Sequence, residues 1–194
     1  MQEIKITNLN KIIGGADVFV IAELGKNFIQ TKEERPVEEY LENAKELVQL
    51  AKQAGADAVK FQAHNIEDEQ LDIKITAPHF SGSDRYNWVK RNTLATPPDF
   101  WKALKKYCDK LGIIFFSTPM SRGAAQMLEQ RLDVPLWKVG SADILDFVML
   151  DFIAKTNKPI ILSTGMSTLA EVDKAVAFLQ KRTRDIVLMH CVSE

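Results

Sequence analysis

The chain has 194 residues, 46% hydrophobic and 26% charged, a balance that excludes a disordered polymer and suffices for one domain with a real core. Its 25 Lys and Arg against 26 Asp and Glu leave a formal net charge of −1, so no global basic field exists to hold a nucleic-acid backbone. Apolar runs such as residues 18–22 and 113–116 are far short of a membrane span, and the opening MQEIKITNLN lacks the apolar core of a signal peptide. Two cysteines, Cys108 and Cys191, make no disulfide framework. These features predict a soluble, cytoplasmic protein.

Residues 4–6 and 11–13, followed by Gly14-Gly15, predict a small hairpin within residues 1–17. From residue 18 to 194 short apolar runs alternate with longer amphipathic stretches. The runs are 18–23, 58–62, 113–118, 136–140, 160–164 and 186–191, nearly continuous in apolar character as expected of parallel strands covered by helices. Pro36 opens the first helix at its first position, Val37, Tyr40, Leu41, Ala44, Leu47, Val48 and Ala51 follow at helical spacing, and Gly55 stops it at the C-cap. Residues 65–96 are polar, hold Pro78 and Gly82, and read as a long loop. Thr96-Pro97-Pro98 precedes a helix with Phe100, Trp101, Leu104 and Tyr107, which Gly112 ends. Ser121 caps a third helix ending near Leu132, and a fourth covers 146–155. Thr168 and Glu171 make a capping box for the fifth. Strand and helix in regular alternation predict a parallel α/β fold.

Polar residues at the strand ends carry the functional signal. Glu23 ends the first strand; Lys60 and Gln62 close the second, two apart and therefore on one face. Thr118 ends the third strand, Lys138 sits in the fourth with Ser141 just after, Ser163 ends the fifth, and Ser193 follows the sixth. A single strand-end hydroxyl is commonly a cap. A lysine between Val59 and Phe61, or between Trp137 and Val139, needs a partner or a use. Glu23 could neutralise one of them as a structural ion pair. In a parallel α/β barrel the C-terminal strand ends form the active face, and two lysines, a glutamate and several hydroxyls there suit a small anionic, phosphorylated substrate. His190 reads as a core histidine, His64 and His79 as loop residues, and Lys102, Lys105 and Lys106 as a solvated helix face. Metal-ligand spacing is missing, and no metal ligand is nominated.

The strings IAELGKN, GADAVKFQAH, GIIFFSTPMS, VPLWKVGSAD, KPIILSTGMSTLAEV and LMHCVSE, in this order, resemble the sialic acid synthase (N-acetylneuraminate synthase) family over residues 15–194. The resemblance implies a (β/α)8 TIM barrel, of which six β/α units are present, in a homodimer whose small C-terminal antifreeze-like domain swaps across to complete the partner's site. It implies condensation of phosphoenolpyruvate with an open-chain N-acetylated amino sugar, giving a nine-carbon 2-keto sugar acid and phosphate, with a divalent metal (Mn or Mg) polarising the aldehyde. By the same resemblance Lys60, Lys138, Thr118, Ser141 and Ser163 hold phosphoenolpyruvate. Gln62 lies beside it, Glu23 faces the reacting centre, and Ser193 stands where other members have a phosphate-contacting Asn. The family pattern Gly-x-Asn-His-x-Gly is broken here, because Phe28 replaces the histidine, which bears on the acceptor sugar. The family's metal-binding histidines and antifreeze-like domain come later than anything matching Glu194, so the sequence predicts the first part of a synthase, inactive alone. Another phosphoenolpyruvate-dependent sugar acid synthase, a Schiff-base aldolase using Lys60 or Lys138, and a non-catalytic binding fragment are the alternatives.

Overall fold

The computed structural model describes residues 3–6, 11–31, 33–77 and 83–192. Strands β1 (Ile4–Ile6) and β2 (Lys11–Ile13) pair antiparallel with Ile4 opposite Ile13, the expected hairpin. Strands β3 (Ile21–Gly25), β4 (Ala58–Ala63) and β5 (Ile114–Pro119) form one parallel sheet, and β6 (Trp137–Val139), β7 (Ile160–Ser163) and β8 (Ile186–Met189) a second. β5 runs beside β6 across the junction. The architecture is the expected α/β fold with parallel strands; among the described residues no ladder joins β8 back to β3.

Strand periodicity divides the interior in two. Val59, Phe61, Ala63, Phe115, Trp137, Val139, Ile160 and Leu162 face the helices and form the main core with residues such as Trp101, Leu104 and Leu150. Ala58, Ile114, Phe116, Leu136 and Ile161 face the other way into a smaller cluster, joined by Ile6 of the hairpin and, at its edge, Ile21. Lys11 also ties the hairpin to Asp57, 2.5 Å away. The inner row therefore has an apolar floor near the N-terminal strand ends. The period of two dictates what lies above it: Glu23 after Ile21, Lys60 and Gln62 after Ala58, Thr118 after Phe116, Lys138 after Leu136 and Ser163 after Ile161.

The helices hold this row in place: α1 (Val37–Gln53), α2 (Ile66–Glu69), α3 (Arg85–Ala95), α4 (Pro98–Leu111), α5 (Arg122–Met127), α6 (Phe147–Ala154) and α7 (Leu169–Leu179). Several end signals act as the sequence indicated. Ser121 accepts from the Ala124 N–H, a capping box joins Thr168 and Glu171, and Gly112 ends α4 at φ +64. An aromatic group locks α4 to the first sheet: Phe61 lies 6.1 Å from Trp101 and 5.7 Å from Phe115 by ring centroids, with Phe28 5.2 Å from Phe100. Phe28 is thus a fully buried core residue.

The structure corrects several expectations. Residues 65–96 are not one long loop, because α2 and α3 lie inside them. Helix α3 has almost no amphipathic pattern, so periodicity misses it; it forms because Asp84 caps it and tertiary bonds hold it. Its Val89, Asn92 and Ala95 are buried, and Arg91 donates to the Thr31 and Glu33 carbonyls. Pro36 is the N-cap of α1 rather than its first residue, and Ala54 is the C-cap, with Gly55 one step beyond at φ +86. The first strand starts at Ile21, not residue 18: Val18 is 84% exposed, while Val20 donates its N–H to the Asp57 carboxylate. The last strand stops at Met189, so His190 lies beyond it and is exposed, not a core histidine. The helix after Ser121 reaches Leu132 only through a π-helical turn, Leu128–Leu132.

Candidate active site

The sequence-nominated residues meet above the inner cluster, at the C-terminal ends of the strands. Lys60 Nζ lies 2.5 Å from Glu23 Oε2 and donates to Thr118 Oγ1 at 2.8 Å. Lys138 Nζ donates to Ser163 Oγ at 2.5 Å and to the Val139 carbonyl at 2.6 Å. Lys60, Thr118, Lys138 and Ser163 are all buried, while the Glu23 side chain is half-exposed at the rim. The Gly25 backbone, in the left-handed region at φ +49, comes so close that a Cβ there would stand 3.3 Å from Glu23 Oε1 and 3.8 Å from the Gln62 carboxamide. Gln62 thus stands with Glu23 at one edge of the group. Ser141 Oγ accepts from the Gly165 N–H at 3.1 Å, tying the loop after β6 to the loop after β7. Ser193 lies outside the described residues.

The arrangement concentrates positive charge and hydroxyl donors, chemistry that suits an anion. Two ammonium groups share a small space, with one carboxylate between them and solvent and hydroxyls around them. Burial, and then the neighbouring Lys60, push the Lys138 amine down to about 8. Cys191 stands nearby, its thiol held below the usual range by a hydrogen bond with Ser163 and by the Lys138 charge.

A second group of ionisable residues, which sequence reasoning did not single out, borders the first. Asp143, on a 3-10 turn (Ser141–Asp143), lies 2.8 Å from where a Gly140 Cβ would be, and its buried Oδ2 has no hydrogen-bond partner among the described residues. Burial, with Asp146 and Glu69 nearby, raises its carboxyl to about 6. Asp143 and Glu69 line a cavity of about 430 Å³ with Asp68, Arg85, Ser121 and Arg122. His64, read as a loop residue, is instead buried at the end of β4 in the line of Lys60 and Gln62, with both Glu69 oxygens 2.8 Å from its Nδ1. The one available signal for Asp143 was its place two residues after Ser141 at a strand end. His64 and Glu69 are five apart across an unrecognised helix, which no strand or helix period links.

Residues 47–194 match the NeuB family model, and the chain belongs to that family. It is 36% identical over 195 residues to an uncharacterised protein of Methanocaldococcus jannaschii, covering 100% of this chain and 51% of that one. It is 33% identical over 178 residues to the pseudaminic acid synthase of Helicobacter pylori, covering 90% of this chain and 49% of the other. Among solved structures, a sialic acid synthetase from Leptospira borgpetersenii superposes with a TM-score of 0.79 at 30% identity, covering 100% of this chain and 60% of that one. The chain spans about half the length of the curated relatives it matches. No helix among the described residues is long and apolar enough to cross a membrane.

The divalent metal implied by the resemblance finds no fit in these residues. Among the described residues no three His, Cys, Asp or Glu side chains come together as a cation site.

Proposed function

We propose that these residues are the phosphoenolpyruvate-binding part of a sugar acid synthase, forming the first six units of an eight-stranded barrel. In this reading the synthase condenses phosphoenolpyruvate with an N-acetylated amino sugar. The carrying observation is the buried pair Lys60 and Lys138, each bonded to a hydroxyl, Thr118 and Ser163, on the inner rows at the C-terminal ends of the two neighbouring sheets. Phosphoenolpyruvate carries a carboxylate and a phosphate close together, and two adjacent cations with hydroxyl donors match that charge. C3 of phosphoenolpyruvate attacks the acceptor aldehyde, water adds at C2, and phosphate leaves by C–O cleavage. Lys60 and Lys138 hold the charge that moves onto the leaving phosphate, and Ser141 and Ser163 orient it. Glu23 and Gln62, at the open edge, face the acceptor. The same reading includes a cytoplasmic homodimer whose later segments complete the site.

The test is product formation from phosphoenolpyruvate with a panel of acceptors, N-acetylmannosamine and its 6-phosphate among them. A 2-keto sugar acid with one equivalent of phosphate is the expected outcome. Turnover without any requirement for phosphoenolpyruvate would overturn the reading. One observation favours a second chemistry: an amine lowered to about 8, as at Lys138, is the usual state of a Schiff-base lysine. Borohydride trapping with substrate separates the two, because only an aldolase leaves a covalent adduct on lysine.

A further inference from the structure

The cavity that Asp143 and Glu69 line opens off the same strand ends as the lysine cluster. Its residues Met120 and Ser121 come two and three positions after Thr118, and Asp143 comes two after Ser141. Glu69 meets His64, which follows Lys60 and Gln62 along one strand face. Gly140 separates the two spaces by the width of a backbone. A Cβ there would stand 2.8 Å from Asp143 Oδ2 and 3.8 Å from Thr118 Cγ2, and Thr118 is the hydroxyl that Lys60 bonds. The cavity, about 430 Å³, falls within the range of small-molecule sites, about 300–1,000 Å³.

The charges of the two spaces are opposite. Among the described residues the cavity is lined by four carboxyl groups, Asp68, Glu69, Asp143 and Asp146, against two guanidinium groups, Arg85 and Arg122. Arg85 is committed, donating to Gln70 at 2.7 Å and facing Glu69 at 3.8 Å. Asp68 accepts from Ser121 Oγ at 2.8 Å and from the Gly123 N–H, and only a glycine lets it approach, since a Cβ at 123 would stand 2.8 Å from Asp68 Oδ1. The Gly123 and Ala124 N–H groups at the start of α5 are thus taken by side chains of this chain and are not free for a phosphate. His64 adds no positive charge, because burial, helped by the charges of Lys26 and Arg85, drives its proton affinity far below the usual range. Burial also raises Glu69 to about 7 and Asp143 to about 6, which still leaves the wall more negative than positive at neutral pH. Asp143 Oδ2 is buried without a hydrogen-bond partner among the described residues, so what it lacks is a donor, not an anion.

We propose that this cavity receives the acceptor, and that its fixed charges select an uncharged N-acetylated sugar over a sugar phosphate. The proposal deepens the synthase reading and rests on it. An uncharged N-acetylated sugar brings hydroxyl and amide N–H donors to a wall rich in carboxylate oxygens, and nothing in it is repelled. A phosphomonoester brings between one and two negative charges at neutral pH. It meets the carboxylates at short range in a partly enclosed space, where repulsion is weakly screened. The two spaces therefore sort the two substrates by charge: the anion goes to the lysines, and the uncharged partner goes to the carboxylates next to them.

The experiment measures dissociation constants of N-acetylmannosamine and of its 6-phosphate on the intact protein by ligand-observed NMR at about pH 7.5, above the second phosphate ionisation. Phosphoenolpyruvate binding is followed by 31P NMR in separate samples. The 6-phosphate should bind about tenfold or more weakly than the free sugar. Two variants test whether charge is the selector, both at exposed side chains that start helices, so the fold holds. Asp146→Asn removes a negative charge while its amide oxygen still accepts from the Met149 N–H, and should narrow the ratio by about threefold or more. Arg122→Gln removes a positive charge and should widen it. The 6-phosphate binding as tightly as the free sugar, the two variants moving the ratio in the same direction, or neither sugar binding would each overturn the proposal. Sugars sorted in this order by a protein that does not bind phosphoenolpyruvate would overturn the synthase reading and not the charge selection, so the two ideas fail separately.

Discussion

Filling the anion cluster should draw a proton onto Lys138. In the free protein burial and Lys60 hold its amine at about 8 instead of 10.5, so at pH 8 about half of the molecules carry a neutral amine, and at pH 7 about a tenth. A phosphate or carboxylate seated against Nζ stabilises the ammonium and returns the group to full protonation. Binding of phosphoenolpyruvate should therefore take up about 0.5 proton at pH 8 and about 0.1 at pH 7. Titration calorimetry in buffers of different ionisation enthalpy reads that number as the slope of the observed heat. Affinity should fall as pH rises above 8, because the protein must then find a proton to bind. The sign for folding is the reverse. An amine lowered by the fold destabilises it at pH 7, by an order of about 3 kcal/mol from the displacement of 10.5 to 8, and this cost disappears as pH rises from about 8 toward 10.5. Lys138→Met should accordingly raise the melting temperature at pH 7 while abolishing binding. A zero slope at pH 8, or an undiminished slope in Lys138→Arg, whose guanidinium does not titrate, would refute the argument.

Lys60→Met removes the cation that repels Lys138, so proton uptake at pH 8 should shrink, and phosphoenolpyruvate affinity should drop by about 2 kcal/mol or more in the same calorimeter. Glu23→Gln sits on a half-exposed side chain, so the melting temperature should hold while turnover falls by about 100-fold or more; an active variant that melts early would assign Glu23 to the ion pair alone. Thr168→Ala breaks the capping box of α7 and should cost about 1 kcal/mol in a urea melt, with phosphoenolpyruvate binding unchanged.

Strand positions, helix caps and the inner-row residues were legible from local pattern. The apolar runs at 58–62 and 113–118 fall within a residue or so of β4 and β5, because a strand covered by helices must be apolar along its length. Lysines inside such runs stood out because burying an ammonium is costly, and the two-residue period put Lys60 and Gln62 on one face without any structure. Phe28 was visible as a departure, but only the fold shows that the residue in the histidine's place packs on Phe61 and Phe100.

Tertiary structure alone decided the rest. Helix α3 lacks an amphipathic stripe and exists because Asp84 caps it and because Arg91 and Arg85 find partners distant in the chain, which no local period encodes. The pairings Glu23 with Lys60 and Lys138 with Ser163 depend on strand order and register, and the drop in the Lys138 amine follows from burial, which a sequence does not state. His64, Glu69 and Lys26 come from two loops and a four-residue helix. By itself the sequence determined which residues lie on the inner row, through the period of the strand. Which charges meet, and how far each is desolvated, was decided by chain folding that brings His64 against Glu69, Lys26 near Glu69, and Glu69 near Asp143, where low dielectric and lost water set their proton affinities.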